Sequence, residues 1–472
     1  MADLDAELDR VTIPELRERL AAGTLSATEL TETYRERIRR HDPDVGAVLA
    51  LDPTALAQAQ ASDRRRAAGR SRGPLDGIPV LIKDNIDAVG LPGTAGSRAL
   101  LAESPGADAP LVRLLRQAGA VLLGSANLSE WANFRSEHST SGWSAVGGQT
   151  RNPHVLDRNP SGSSSGSAAA VAAAFAQLAL GTETDGSITS PAGACGVVGL
   201  KPTHDLLPGA GIVPISPEQD TAGPMSRTVI DTAIAMGVLA GFEPETAELP
   251  GTRIGVWRVA GSDPETDRVV EECVTALAAS GVTIVEVNLP YQAELAAAEW
   301  AAMTSEFRPA LERYLRTRPG APRTLAELVA FNSTDPIELS LFGQDIFDRA
   351  VTAPPLSDPG YRASRRAATD LARRSLDETS AAHELDLILT PSNIPAWRTN
   401  YGAGDKDVLS SSSPAAVSGH PNVSIPAGSA GPLPIGVSLI GRHGADARLL
   451  GLAGAIEAVL RARRAPTFQA TI

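Results

Sequence analysis

The chain has 472 residues, 43% of them hydrophobic and 21% charged, the composition of an ordinary globular protein long enough to bury a large core. Its formal net charge is −13, and the short Arg64-Arg65-Arg66 run reads as a solvated helix face, so a nucleic-acid partner, which needs clustered cations, is argued against. Two cysteines, Cys195 and Cys273, cannot form a disulfide framework or a Cys-rich zinc site. The segment from Met1 to Glu7 is acidic and lacks the basic start and apolar run of a signal peptide. No apolar stretch reaches the roughly 18 to 20 residues of a membrane span. The expectation is a cytoplasmic protein with no membrane partner.

Two helices open the chain. Thr12 with Glu15 and Ser26 with Glu29 have capping-box spacing, and Gly23 stops the first helix. Pro53 to Gly69, rich in Ala and Arg, reads as a third. At Gly73 the texture changes. Ile78-Pro79-Val80-Leu81-Ile82 reads as a buried strand that runs into Lys83-Asp84-Asn85. Ala109 to Gln117 reads as helix and Ala120 to Leu123 as strand, so β/α alternation has begun. Ser139 to Gly166 is a long loop dense in Ser, Gly, Asn and Pro, a length usually tied to function. An Ala-rich helix follows, within the apolar run from Ala168 to Leu180. A second Gly/Ser-rich turn then spans Gly181 to Gly193. Strand patterns recur at Arg253 to Trp257 and Val282 to Val287. Leu289 to Glu384 is mostly helical. Strands return at Leu385 to Leu389, Val423 to Ile425 and Ile435 to Ile440 before a final helix from Asp446 to Arg463. No linker or internal repeat interrupts the pattern, which argues for one large α/β domain: N-terminal helices over 1–70, a core over 71–245, a mostly helical region over 246–384, and closing strands and helix over 385–472.

Three stretches carry candidate chemistry. Lys83 at the end of a buried strand is either paired with an acid such as Asp84 or is a desolvated, partly neutral amine able to act as a base. Gly162-Ser163-Ser164-Ser165-Gly166 gathers hydroxyls and N–H groups at a helix start, and it also matches a nucleophile elbow with Ser164 central. Gly181-Thr182-Glu183-Thr184-Asp185-Gly186-Ser187 ends in a serine after a tight turn whose N–H groups can converge as an oxyanion hole. Each stretch alone also has an ordinary reading: an ion-paired lysine, a flexible loop and a plain turn.

Together, in this order, they closely resemble the amidase signature family. The resemblance also covers Gly124-Ser125-Ala126-Asn127-Leu128-Ser129-Glu130-Trp131, Gly148-Gln149-Thr150-Arg151-Asn152-Pro153 and Gly196-Val197-Val198-Gly199-Leu200-Lys201-Pro202-Thr203. It implies an α/β/α domain around a twisted mixed β-sheet. It implies Lys83 as base, Ser163 as a proton shuttle after a cis peptide bond, and Ser187 as nucleophile 24 residues further on. The N–H groups of Thr184, Asp185, Gly186 and Ser187 match the oxyanion-hole turn, and no cofactor or metal is implied. Further stretches, among them Gln219-Asp220-Thr221-Ala222-Gly223-Pro224-Met225 and Ser413-Pro414-Ala415-Ala416-Val417-Ser418-Gly419, are similar to the bacterial peptide amidase branch. That branch removes the amide from peptide C-termini. Thr189 stands where many members carry Arg, Ser165 where many carry Gly, and Glu183 where many carry Asp. Ser165 and the missing Arg also count against the amidotransferase that amidates misacylated tRNA.

The expected reaction is hydrolysis of a carboxamide through an acyl-enzyme on Ser187, with a peptide or small-molecule amide as partner. Trp131 and Phe134 are either walls of a substrate cleft or core residues, and Trp397 to Ser413 is another candidate wall. Several alternatives stand beside this reading. One is a biosynthetic acyl transferase and another a small-molecule amide hydrolase. A Ser-His-Asp enzyme using Ser164 would need one of His41, His138, His154, His204, His383, His420 or His443 in a triad setting, and none shows one. A metalloamidase would need a ligand cluster that the sequence lacks. A non-catalytic binding protein is the reading from another class, and the presence of Lys83, Ser163 and Ser187 together argues against it.

Overall fold

The computed structural model describes residues 2–259, 263–405 and 409–472. Its framework is an 11-stranded mixed sheet with helices packed around it. The strands in chain order are β1 (Val48–Leu51), β2 (Pro79–Lys83), β3 (Val121–Ala126), β4 (Trp143–Ser144), β5 (Gly148–Gln149), β6 (Leu178–Glu183), β7 (Val198–Lys201), β8 (Thr221–Ser226), β9 (Arg253–Trp257), β10 (Thr283–Val287), β11 (Leu387–Pro391), β12 (Asn422–Ala430) and β13 (Leu433–Ile440). Within the large sheet the order is β1-β3-β2-β6-β8-β7-β12-β13-β11-β9-β10, while β4 and β5 form a separate two-stranded ribbon. This mixed α/β architecture is the fold class that the resemblance implies.

The centre of the sheet is where sequence pattern and structure differ. The apolar run after Gly166 is not one helix. The helix spans Ser165–Ala172, Ala174 takes a positive φ of 54°, and the chain re-enters the sheet as β6. A strand buried on both faces shows no alternation and cannot be told from a buried helix by period. The Ala content then favours the helical reading. The second Gly/Ser-rich stretch likewise holds a helix, Thr189–Cys195, and β7 and β8 escape the pattern for the reason that hides β6. Both N-terminal capping boxes are formed, on the Ile13–Ala22 and Ala27–Val45 helices. The strands near 253, 283, 387, 422 and 433 and the Asp446–Leu460 helix lie where the pattern puts them.

Two features of this framework position the site. First, β2 runs parallel to β6 with Ile82 opposite Leu180, so Lys83 and Thr182 come together at the carboxyl ends of the two strands. In parallel α/β sheets, crevices at the carboxyl ends of the strands are where ligands bind. Second, the Ser165–Ala172 helix is buried along its whole length. A side chain at Gly166 would put its Cβ 2.4 Å from the Asn127 carbonyl oxygen and 2.5 Å from that of Ala47, so only glycine lets the helix start sit this close to β3 and β1. A separate apolar cluster, built from Trp131, Phe134, Val213, Ile215, Phe307, Leu311 and Phe347 among others, ties the helical region to this edge of the sheet.

Candidate active site

Lys83 is fully buried at the end of β2. Its Nζ lies 2.8 Å from Ser163 Oγ, 3.0 Å from Ser164 Oγ, 2.9 Å from Thr182 Oγ1 and 3.2 Å from the Thr182 carbonyl oxygen. None of these partners is a carboxylate. Asp84, the acid next in sequence, turns away and accepts from the backbone N–H groups of Gly93 and Thr94. Burial therefore pushes the Lys83 ammonium well below the ordinary lysine value of 10.5, and the more distant charges of Glu183 and Asp220 only partly oppose it. The site favours a neutral amine in contact with a serine hydroxyl.

Ser163 follows a cis peptide bond from Gly162. Its carbonyl accepts from Ser129 N–H at 3.1 Å, and the next residue, Ser164, donates its N–H to the Ser187 carbonyl at 3.0 Å. The serine cluster and the Ser187 turn are thus joined through the backbone. Ser164 Oγ is fully buried and bonded to both Lys83 and Thr182. It does not line the cavity, so the elbow reading with Ser164 as nucleophile finds no access for a substrate.

The turn after β6 is shaped by its side chains. Glu183 Oε2 accepts from the N–H groups of Ile188 at 2.7 Å and Thr189 at 2.9 Å. Gly186 has φ 75°, the left-handed conformation that glycine supplies without strain. Among the described residues, the N–H groups of Thr184, Asp185, Gly186 and Ser187 donate to no protein acceptor. Four uncommitted donors in one tight turn can supply what an oxyanion hole requires. The turn is held from outside. Thr184 Oγ1 donates to Asp220 at 2.6 Å, and Ser412 and Ser413 donate to Asp185 at 2.5 and 2.6 Å. Gln219 bonds the Thr184 carbonyl at 3.4 Å and is itself held by Glu299 and Arg365. The sequence does not single out Thr182, Asp220, Ser412 or this Gln219–Arg365 bracing. Each lies within a quoted motif or far away along the chain, and no spacing links it to the turn.

Ser187 is half-buried and lines a cavity of about 360 Å³ together with Thr184, Asp185, Ser161 and Gly162. Its hydroxyl has no hydrogen-bond partner among the described residues, and Ser163 Oγ is bonded to Lys83 and not to it. Phe134 lines the cavity, as do Trp300, Met303 and Ile346 from the helical region. Trp131 does not. It is 2% exposed and lies edge-on to Phe347, behind the wall. Of the Trp397 to Ser413 stretch, Asp405 reaches the cavity and residues 406–408 lie outside the described residues.

No histidine lines the cavity. His154 and His420 are buried and pushed down to about 4 by desolvation. Ser418, His420 and Asp377 do stand in hydrogen-bonded order, but Ser418 Oγ donates to the Pro414 carbonyl and lies away from the cavity. Cys195 and Cys273 are buried free thiols. Among the described residues, no group of three or more His, Cys, Asp or Glu side chains is arranged to hold a metal, and no helix is long and apolar enough to cross a membrane.

Comparison with known proteins agrees with this geometry. The chain is 44% identical to the peptide amidase of Stenotrophomonas maltophilia, with a TM-score of 0.92 over 97% of this chain and 99% of that one. It is 34% identical to a probable amidase of Arabidopsis thaliana, covering 98% of this chain and 92% of the relative. It is 36% identical to a glutamyl-tRNA(Gln) amidotransferase component of Roseiflexus castenholzii, covering 96% of each. The profile of the Amidase family matches residues 29–450. With a buried lysine on a serine cluster, an open-donor turn and a family match over most of its length, the chain belongs to the amidase family and is an amide-hydrolysing enzyme.

Proposed function

We propose that the protein hydrolyses the C-terminal carboxamide of a peptide or N-acyl amino acid to the acid and ammonia through an acyl-enzyme on Ser187. The observation that carries this reading is the 2.8 Å contact between a desolvated Lys83 and Ser163 Oγ beside the open-donor turn of Ser187. Neutral Lys83 takes a proton from Ser163, which takes one from Ser187 as that hydroxyl attacks the carbonyl carbon. The N–H groups of the Thr184, Asp185, Gly186 and Ser187 turn stabilise the developing oxyanion; one such donor is typically worth on the order of 3 kcal/mol. The proton returns through Ser163 to the amide nitrogen and ammonia leaves. Water then enters by the same relay, run with the acyl-enzyme ester as electrophile, and frees the acid. No step requires a cofactor.

A primary amide places only NH2 on the leaving side, so the cavity is available to the acyl part. The likeness to a peptide amidase supports a peptide there. The same acyl-enzyme allows a second reading, capture of the acyl group by an amine in place of water. Thr189, where many family members carry Arg, supports the hydrolytic one. The test is a panel of three substrates: an amidated dipeptide, the same dipeptide with only an internal amide, and a simple aliphatic amide, with ammonia and product mass recorded. Ammonia and free acid are expected from the first, no cleavage of the second, and slow or no reaction of the third. Fast turnover of the aliphatic amide alone refutes the peptide substrate, and a product heavier than the acid by an added amine refutes hydrolysis.

A further inference from the structure

We propose that the cavity selects amides whose acyl part carries a positive charge, with Asp405 as the residue that reads it. This rests on the peptide-amide reading above and adds a substrate preference to it. Among the described residues, the charged side chains lining the cavity are Glu137, Asp185 and Asp405, all acidic, with no Lys, Arg or His beside them. The catalytic Lys83 is fully buried behind the serine cluster. A substrate in the cavity therefore meets one sign of charge, in a concave site where the field is focused.

The three carboxylates are not equivalent. Asp185 is engaged by the hydroxyls of Ser412 and Ser413 and belongs to the catalytic turn. Glu137 is half-exposed at the rim and pairs with Arg349 at 2.5 Å. Asp405 has no cationic partner among the described residues. Its two oxygens share the Ser141 N–H at 3.2 and 3.1 Å. Burial pushes its carboxyl up from the usual range, and a cation placed beside it would reverse that.

A second observation marks the same wall. Ser139 lines the cavity, is 6% exposed, and its Oγ has no hydrogen-bond partner among the described residues. Ser139 and Asp405 sit on neighbouring loops: Asp405 accepts from Ser141, and a Cβ at Gly404 would lie 3.0 Å from the Glu137 carbonyl oxygen. An uncommitted hydroxyl and an unpaired carboxylate together fit an ammonium or guanidinium group. Because the leaving side of a primary amide is only NH2, that cation belongs to the acyl part. Water frees a carboxylate while the acyl part keeps its cation, so the net charge falls by one and the acidic cavity holds the product less strongly than the amide.

The experiment uses the full chain with N-acetyl-Xaa-Ala-amides in which Xaa is Lys, Gln or Glu, at neutral pH and low salt, with ammonia release giving kcat/KM. The Lys peptide is expected to exceed the Gln peptide by about tenfold and the Glu peptide to fall about tenfold below it. Asp405→Asn keeps an acceptor for the Ser141 N–H and is expected to shrink the Lys-to-Gln ratio to below about threefold. Should that variant fail to fold, repeating the wild-type series in high salt replaces it, and the ratios should compress. Equal kcat/KM for the three peptides, or preference for Glu, overturns the charge selection while leaving the peptide-amide reading intact. An unchanged ratio in a folded Asp405→Asn chain overturns the role of Asp405. No turnover of any peptide amide, with a simple aliphatic amide consumed, overturns both.

Discussion

The two ends of the site are built on opposite principles. At the base end, Lys83, Ser163, Ser164 and Thr182 are all buried, and Lys83 bonds the other three. At the cavity end, the Ser187 and Ser139 hydroxyls and the N–H groups of the turn are left without partners among the described residues. The closed end is delivered by parallel strands β2 and β6 and a buried helix start, elements that leave little room for movement. The open end is assembled from loops and from helices over a hundred residues away. A network closed on itself fixes a protonation state, and uncommitted donors wait for a ligand.

Breaking either end should give distinct signatures. The largest effect is expected from Ser187→Ala, with ammonia release falling to background. Ser163→Ala and Lys83→Ala are each expected to cost about 10³-fold or more in kcat, and the double variant no more than the worse single one, because the relay acts as a unit. Full additivity would contradict a shared relay. Loosening the brace behind the open end should cost less. Thr184→Val removes the bond to Asp220, and kcat is expected to fall about tenfold with little change in KM, as for a weakened oxyanion donor. A pure KM effect would place Thr184 in substrate binding instead.

Phe134 and Trp131 sharpen the contrast within one cluster. Phe134→Ala should raise KM for peptide amides, since the ring lines the cavity. Trp131→Ala should act mainly on folding, with a loss of about 3 to 5 kcal/mol in denaturant unfolding, since the ring is buried behind the wall. Reversal of the two signatures would redraw the wall.

The pH profile reports on the closed end. In the proposed relay Lys83 acts when neutral, and burial lowers its pKa, so the neutral form persists to lower pH. The rising limb of kcat/KM should then lie well below 10.5 and vanish in Lys83→Met. A limb at the ordinary lysine position would mean that the amine is not desolvated. The smallest effects are expected from exhaustive chelation and from single His→Ala changes, each leaving kcat within about twofold.

Legibility in the sequence follows the same division. Lys83, the Ser163 cluster and the Ser187 turn are short contiguous stretches whose residue types already suggest their chemistry, and family resemblance orders them. The outer helices and edge strands are legible from caps and alternation. The central strands β6, β7 and β8 are not, because strands buried on both faces carry no period, and the Ala run before β6 reads as helix. The walls of the cavity are legible only in part. Phe134 and Trp131 stand on equal grounds in the sequence, and only packing separates them. Asp405 and Ser139 fall within stretches the sequence does mark, Trp397 to Ser413 as a candidate wall and Ser139 to Gly166 as a long loop tied to function, but nothing in either stretch singles them out, since their meaning lies in what surrounds them after folding.

The central claim is that Ser187 is a nucleophile activated through Lys83. The most direct measurement is labelling of the native chain with a fluorophosphonate, followed by peptide mapping and repeated in Lys83→Ala. The account predicts one adduct, on Ser187, forming far more slowly without Lys83. An adduct on Ser164 or any other residue, or labelling of Lys83→Ala at the native rate, would contradict it.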